Sequence, residues 1–333
     1  MWHEEPIALS YVLPIFSSDE RGLEELTGYL RWLASRVEVI VIDDSPPAVF
    51  ERHHRDWSGV VHHRRSDPDL RFTSGKVNGV MSGIRDASYD RVILADDDVR
   101  YDEAALADMS RLLDAAELVR PQNYFRPTPW HARWDTARSL INRAIAHDFP
   151  GTLGVRRGFV LDIGGYDGDV LFENLELIRT VRAAGGRVAA SRDLLVRRLP
   201  PTTSHFWSQR VRQAYDDFAL PGRMVAALAL LPALALAPPR RRAVAAMGVS
   251  LAAITLAEAG RRRGSGPQVF PPSASLFAPA WVAERAVCSW LAVASRLRHG
   301  GVRYGGAVMR RSASSPRRLR RRLGDPLLRP SPQ

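Results

Sequence analysis

The stretch that decides the fold is RVILADDDVRYDEAAL, residues 91–106. Val92, Ile93, Leu94 and Ala95 form an apolar run that stops at three consecutive carboxylates, Asp96, Asp97 and Asp98. A short apolar run bounded by polar residues reads as a strand buried on both faces. Adjacent carboxylates repel one another and add nothing to a core, so such a strand end needs a partner for its charge. Carboxylates one residue apart can turn their oxygens toward one hard cation, Mg²⁺ or Mn²⁺, which commonly completes its shell with substrate phosphates.

Working outward, IALSYVLPIF (7–16) reads as another buried strand, ended by Pro14, and VEVIVIDDS (37–45) as a third that also ends in acids. Between them, residues 21–36 carry apolar side chains at helical spacing, and GKVNGVMSGIRDA (75–87) reads as a helix entered through Gly75. Strands alternating with helices predict an α/β fold: a Rossmann-like, mostly parallel sheet with helices on both faces. Ligands bind such sheets beyond the carboxyl ends of the strands, where both acidic clusters fall.

The chain has 333 residues, 45% of them apolar, and a net charge of +11. The single cysteine, Cys288, excludes an internal disulfide and a thiolate metal cluster. Nearly all the positive charge is arginine; Lys76 is the one lysine. MWHEEP, short and acidic, does not read as a signal peptide. MVAALALLPALALAPP (224–239) and AVAAMGVSLAAITLA (243–257) carry no charge and are separated by Arg240, Arg241 and Arg242. A spanning helix needs about twenty apolar residues, so these pieces predict a short hairpin dipping into or crossing a membrane. Residues 276–298 suit an interfacial helix. The expected organisation is an α/β domain (1–218), a hydrophobic helical hairpin (219–262), an amphipathic helix region (263–309) and a basic disordered tail (310–333). Arginines clustered around apolar segments point to a membrane surface rather than to nucleic acid, since the tail lacks the aromatic platforms that stack bases.

In their order and spacing, LSYVLPIF, VEVIVIDDS, GKVNGV and VILADDDVRYDEAAL resemble the nucleotide-sugar half of a family 2 glycosyltransferase with the GT-A fold, of the membrane-associated bacterial type. GTLGVRRGFVLDIGGYDGDVLFENLELIRTVRAAGGRV (151–188) resembles that family's acceptor half, and the likeness covers roughly residues 7–215. The resemblance implies that Pro14 closes the first strand beneath the nucleotide and that Asp43 or Asp44 binds the base or ribose. It implies that Lys76 lies near the donor, and that Asp96 and Asp98 hold Mg²⁺ or Mn²⁺ with His205 as a third ligand. The base that deprotonates the acceptor falls on Glu173, or on Asp167 or Asp169, because Asn174 stands where a second acid is usual. SQRVRQ resembles a Gln-x-x-Arg-Trp segment in which Gln213 replaces the tryptophan; Arg210 and Arg212 would neutralise diphosphate. Trp130, His131, Trp134, Asn174 and Gln209 are assigned to the acceptor cleft.

The implied activity is metal-dependent, inverting transfer of a sugar from a nucleoside-diphosphate sugar to a lipid-linked or cell-envelope glycan acceptor, at the cytoplasmic face of the cell membrane. The alternative is a degenerate GT-A module that binds or scaffolds at the membrane. A nucleotidyltransferase would carry a glycine- and basic-rich loop after the first strand, which PIFSSDERG does not provide.

Overall fold

The computed structural model describes residues 7–17, 22–304 and 306–324. In chain order the first half runs β1 (Ser10–Ile15), α1 (Leu23–Ala34), β2 (Glu38–Asp43), α2 (Pro47–Trp57), β3 (His62–Arg64), α3 (Gly75–Asp86), β4 (Arg91–Ala95) and β5 (Val99–Arg100). It continues with α4 (Glu103–Leu112), β6 (Leu118–Phe125), α5 (Trp130–Ile145), β7 (Thr152–Arg156), α6 (Arg157–Asp162), α7 (Glu173–Ala183) and β8 (Val188–Arg198). These strands form one eight-stranded sheet in the order β3-β2-β1-β4-β7-β6-β8-β5. β1 pairs in parallel with β2 and β4, and β2 with β3; β7 enters antiparallel to β4.

The expected α/β architecture is borne out, and β4 begins and ends where the apolar run does. Two cores confirm that both faces of the sheet are covered. One packs Tyr11, Leu13, Val39, Val41 and Ile93 under α1 and α4; the other packs Val12, Ile40, Ile42, Val92 and Leu94 under α3 and α7. Alternate residues of the same strands supply the two cores, as the period of two requires. α2 and β3 were not foreseen: α2 turns only His53 and Trp57 inward, too few apolar positions for a periodic signal.

Beyond the sheet come α8 (Thr203–Ser208), α9 (Arg210–Tyr215), α10 (Pro221–Leu236), α11 (Pro239–Arg261), α12 (Gly266–Val269) and α13 (Ala278–His299). The expected apolar hairpin is α10 followed by α11. An 18-residue stretch of α11 has a mean hydropathy of 1.6, and α11, like the segment Pro272–His299, is long and apolar enough to cross a membrane by length and composition. α11 also docks on α5: a Cβ at Gly260 would lie 1.9 Å from the Leu140 carbonyl oxygen. Its outer residues Val244, Met247 and Leu251 are exposed, as are Val225 and Leu236 of α10.

The tail is corrected by the structure. After the hairpin β9 (Val302–Tyr304) and β10 (Ala307–Met309), residues 310–315 run along the sheet domain and end in α14 (Pro316–Gly324). Leu171 N–H donates to the Arg311 carbonyl at 3.0 Å, Phe172 N–H to Ser312 at 2.8 Å, and Ser314 N–H to Glu176 Oε2 at 2.6 Å. Leu319 is buried. Composition alone marks this arginine- and serine-rich piece as disordered, but backbone hydrogen bonds to a neighbouring segment hold it irrespective of side chain. Residues 325–333 of the predicted tail lie outside the described residues.

Candidate active site

Parallel pairing brings the carboxyl ends of β1, β2 and β4 to one edge, and the turn after β4 carries Asp96, Asp97 and Asp98. The compensating charge is part of the chain. Lys76, in the first turn of α3, places Nζ 2.5 Å from Asp96 Oδ1 and 2.8 Å from Glu173 Oε1. Arg198, the last residue of β8, donates Nε to both Asp98 oxygens at 2.8 and 2.9 Å, and its NH2 lies 3.2 Å from Asp96 Oδ2. β8 delivers it there because Arg198 is the register partner of Val99, the residue after Asp98. Space is tight: a Cβ at Gly151 would lie 2.7 Å from both Asp96 Oδ2 and Arg198 Cζ.

The electrostatics follow from this arrangement. Burial works to raise the Asp96 carboxyl, but Lys76 and Arg198 outweigh it and hold it below the usual carboxylate range. Asp97 has no such partner, and burial together with Asp98 and Asp96 pushes it up. Burial opposes the charge on Lys76 and Arg198, yet the acids around them raise both. The sequence expectation that Lys76 and Glu173 meet the acidic turn is met in space. α7 starts at Glu173, after a turn in which Gly164 and Gly165 take φ of 71° and 72°, a left-handed conformation that side-chain-bearing residues adopt at a cost.

Other assignments are redistributed. Asp43 is fully buried: its Oδ2 accepts from His53 Nδ1 at 2.7 Å and His63 Nε2 at 3.2 Å, and its Oδ1 from Ser45 N–H at 2.9 Å. Its carboxylate therefore has no oxygen to offer a nucleotide. Asp44 is half-buried and accepts from the Ser66 N–H and hydroxyl at 3.1 and 2.9 Å. Pro14 packs beneath α3, where a Cβ at Gly79 would lie 2.7 Å from its own Cβ. Asn174 donates to the Pro150 carbonyl at 2.9 Å, tying α7 to the approach of β7. Asp169 accepts from the Thr73 backbone and hydroxyl, and Asp167 pairs with Arg311 at 3.0 Å; these bonds hold loops.

Arg210 and Arg212 part company. Arg210 is buried and bound to Asp135 at 2.7 Å, which fastens α9 to α5 and removes it from the diphosphate role. Arg212 stays within electrostatic reach of Asp96 and lies over the Tyr304 ring at 4.6 Å. Burial, then the Glu173 carboxylate, raises the Tyr304 hydroxyl. The C-terminal hairpin thus brings an aromatic ring beside the arginine where Gln213 supplies none. His205 is capped into α8 through Thr202, and burial and Arg212 lower its pKa. Asp98 lies within electrostatic reach of His205, although among the described residues no three His, Cys, Asp or Glu side chains converge as a metal set. Gln209 sits at the junction of α8 and α9, with its amide on Ser208. Trp130 and Trp134 belong to an aromatic cluster with Phe206 and Trp207. Trp134 donates to Glu284 at 3.0 Å, while Trp130 stays 41% exposed. His131 meets the Pro201 carbonyl at 2.8 Å.

A cavity of about 190 Å³ opens beside the acidic turn, lined by Ile15, Phe16, Leu26, His53, Asp98 and Leu199 among others. The donor set suits a hard divalent cation: two carboxylates one residue apart, bridged by a guanidinium that stands in as the cation. Asp96 and Asp98 would hold the ion with Arg198 giving up its place between them. Arg198 was missed in the sequence because nothing in LLVRRLP reveals a register partner a hundred residues away.

The architecture is an α/β fold built on a mostly parallel sheet with helices on both faces, as expected from the sequence. No family model and no curated protein matches the chain. Among solved structures it is similar to the mannosyltransferase PcManGT from Pyrobaculum calidifontis, in complex with GDP-Man and Mn²⁺. That match has 15% identity and a TM-score of 0.48, covering 86% of this chain and 88% of that one. S. aureus TarS 1–349 in complex with UDP-GlcNAc aligns at 13% identity and TM-score 0.44, over 90% and 95% of the two chains. Glucosyl-3-phosphoglycerate synthase from Mycobacterium tuberculosis, in complex with Mn²⁺, UDP and glucosyl-3-phosphoglycerate, aligns at 18% identity and TM-score 0.42, over 60% and 74% of the two chains.

Proposed function

We propose that the chain is a glycosyltransferase that takes a sugar from a nucleoside-diphosphate donor and passes it to a lipid-linked or cell-envelope acceptor. The observation that carries this reading is the acidic turn after β4, whose Asp96 shares Lys76 with Glu173 at the start of α7 while Arg198 bridges Asp96 and Asp98. A carboxylate suited to the acceptor and acids suited to the donor's diphosphate are thereby linked through Lys76. Asp96 and Asp98 would hold Mg²⁺ or Mn²⁺, which when bound would supply positive charge for a departing nucleoside diphosphate. Lys76 and Arg212 add positive charge beside that site, and Lys76, held by two carboxylates, needs little reorganisation as charge develops. Glu173 takes the proton from the acceptor hydroxyl as that oxygen attacks the anomeric carbon, giving inversion in a single displacement. The exposed apolar faces of α10 and α11, with Arg240, Arg241 and Arg242 in the first turn of α11, favour a membrane surface and the cytoplasmic leaflet, whose anionic lipids attract arginine.

The reading is tested by thermal unfolding of the detergent-solubilised chain with UDP, GDP, CDP and ADP, with and without Mn²⁺. A metal-dependent rise with at least one nucleotide, lost in Asp98→Ala, is expected; at a hundredfold excess over Kd it amounts to about 2.7 kcal/mol. No rise with any nucleotide, in folded protein, would favour the scaffold reading instead.

A further inference from the structure

The wall of the cavity opposite the acidic turn carries one polar side chain from α2, His53, whose ring is set on every side. Its Nδ1 meets Asp43 Oδ2 at 2.7 Å, and its face stacks on Trp57 at 4.5 Å and 22°. Trp57 is buried and anchored by its own indole N–H on Thr27 Oγ1 at 2.8 Å. The proton positions follow from the inventory of donors. An ionised carboxylate only accepts, so both histidine nitrogens facing Asp43 carry hydrogen. His63 therefore uses Nε2–H on Asp43, which leaves its Nδ1 bare to accept from His54 Nδ1–H at 3.1 Å. The same rule places the His53 proton on Nδ1. In the neutral ring Nε2 is then a bare acceptor on the edge turned away from Asp43, and no described residue hydrogen-bonds to it. The low pKa of Asp43, which His53, His63 and Ser45 enforce against its burial, agrees with the carboxylate being the acceptor throughout.

Ile15, Phe16 and Leu26 give the same cavity apolar lining, and its remaining charged side chains besides the acidic turn, Glu25 and Arg100, are paired with each other. An oriented acceptor beside apolar side chains suits a flat base that presents a ring N–H at its edge. We infer that His53 reads the base of the donor nucleotide through Nε2 and selects bases with a ring N–H, uracil or guanine, over cytosine and adenine. This rests on the nucleotide-sugar reading above. Asp43 acts behind it as a positioning residue that keeps Nε2 bare. A site built to accept a hydrogen bond discriminates strongly against an analogue that presents an acceptor there, because two lone pairs are left facing each other.

The test is calorimetric titration of UDP, GDP, CDP and ADP into the full chain at pH 8 with Mn²⁺, for the unmodified protein and His53→Asn. Asn reproduces the Nδ1–H donor to Asp43 but has nothing at the Nε2 position. The unmodified chain is expected to bind UDP or GDP at least tenfold more tightly than CDP and ADP. In His53→Asn that preference should collapse, in protein that still unfolds cooperatively without ligand. As a check that needs no variant, the ¹⁵N resonance of His53 Nε2 should move upfield when UDP or GDP is added. Equal nucleotide affinities in the unmodified chain, unaltered UDP or GDP affinity in folded His53→Asn, or a stationary Nε2 resonance would each overturn the inference while leaving the nucleotide-sugar reading intact. Failure of the unmodified chain to bind any nucleotide would overturn both.

Discussion

Removing the ammonium that Lys76 places between two acids should destabilise the fold by an amount the geometry constrains. Its Nζ is 2.5 Å from Asp96 and 2.8 Å from Glu173, and the three side chains are 23, 22 and 17% exposed. Breaking a fully buried pair costs about 3–5 kcal/mol, whereas exposed pairs contribute about 0–1 kcal/mol. With roughly a fifth of each side chain in solvent, Lys76→Met should cost about 2 kcal/mol. Asp96 keeps Arg198 in that variant, so most of the loss comes from Glu173, left without its ammonium. Glu173→Gln alone should cost about 1 kcal/mol, because Lys76 retains Asp96. The double variant should therefore lose about 2 kcal/mol rather than the sum of about 3, a coupling of about 1 kcal/mol. Urea unfolding measures each value from the midpoint, provided the slope is unchanged. A Lys76→Met variant within about 0.5 kcal/mol of the parent, or a strictly additive double variant, would refute the shared-cation arrangement.

Two further outcomes follow from other parts of the molecule. His147 is held down to about 4 by burial and by Arg192, Arg120, Arg143 and Arg182 around it. Its folded value lies below the unfolded one, so its contribution is complete above the unfolded value of about 6.5 and is lost as pH falls toward 4. Between pH 7 and 4.5 the parent should lose about 2 kcal/mol of stability that His147→Gln keeps, and parallel stability curves for the two would contradict the arginine cage. At the joint between α11 and α5, Gly260→Val forces a side chain into a site where even a Cβ would lie 1.9 Å from the Leu140 carbonyl oxygen. A loss of about 3 kcal/mol, seen as a lower thermal midpoint, is expected, and an unchanged midpoint would mean that α11 does not dock there.

The strands and the acidic turn were legible because a doubly covered parallel strand is written as an uninterrupted apolar run with an abrupt polar end. Lys76 and Glu173 were legible through resemblance, and the fold then brings them within 2.8 Å of each other. What could not be read depends on pairing between distant segments. Arg198 reaches Asp98 only through the register of β8 on β5, and Tyr304 reaches Arg212 only because a hairpin returns after α13. His53 was hidden for a different reason. In ERHHRDW a histidine facing inward looks the same as its outward neighbour, and Asp43 consumes the hydrogen-bonding capacity that was expected to face the nucleotide. The tail misled because charge composition describes side chains, while its attachment at Leu171 and Phe172 runs through the backbone.

Calorimetric titration of UDP and GDP into the detergent-solubilised chain, in EDTA and then in Mn²⁺, tests the central claim most directly. The expected result is binding that requires the metal, disappears in Asp98→Ala, and survives in Gln209→Ala, whose side chain lies outside the acidic cluster. Nucleotide binding of equal strength in EDTA, or binding retained in Asp98→Ala, would contradict a cation and diphosphate site at Asp96 and Asp98.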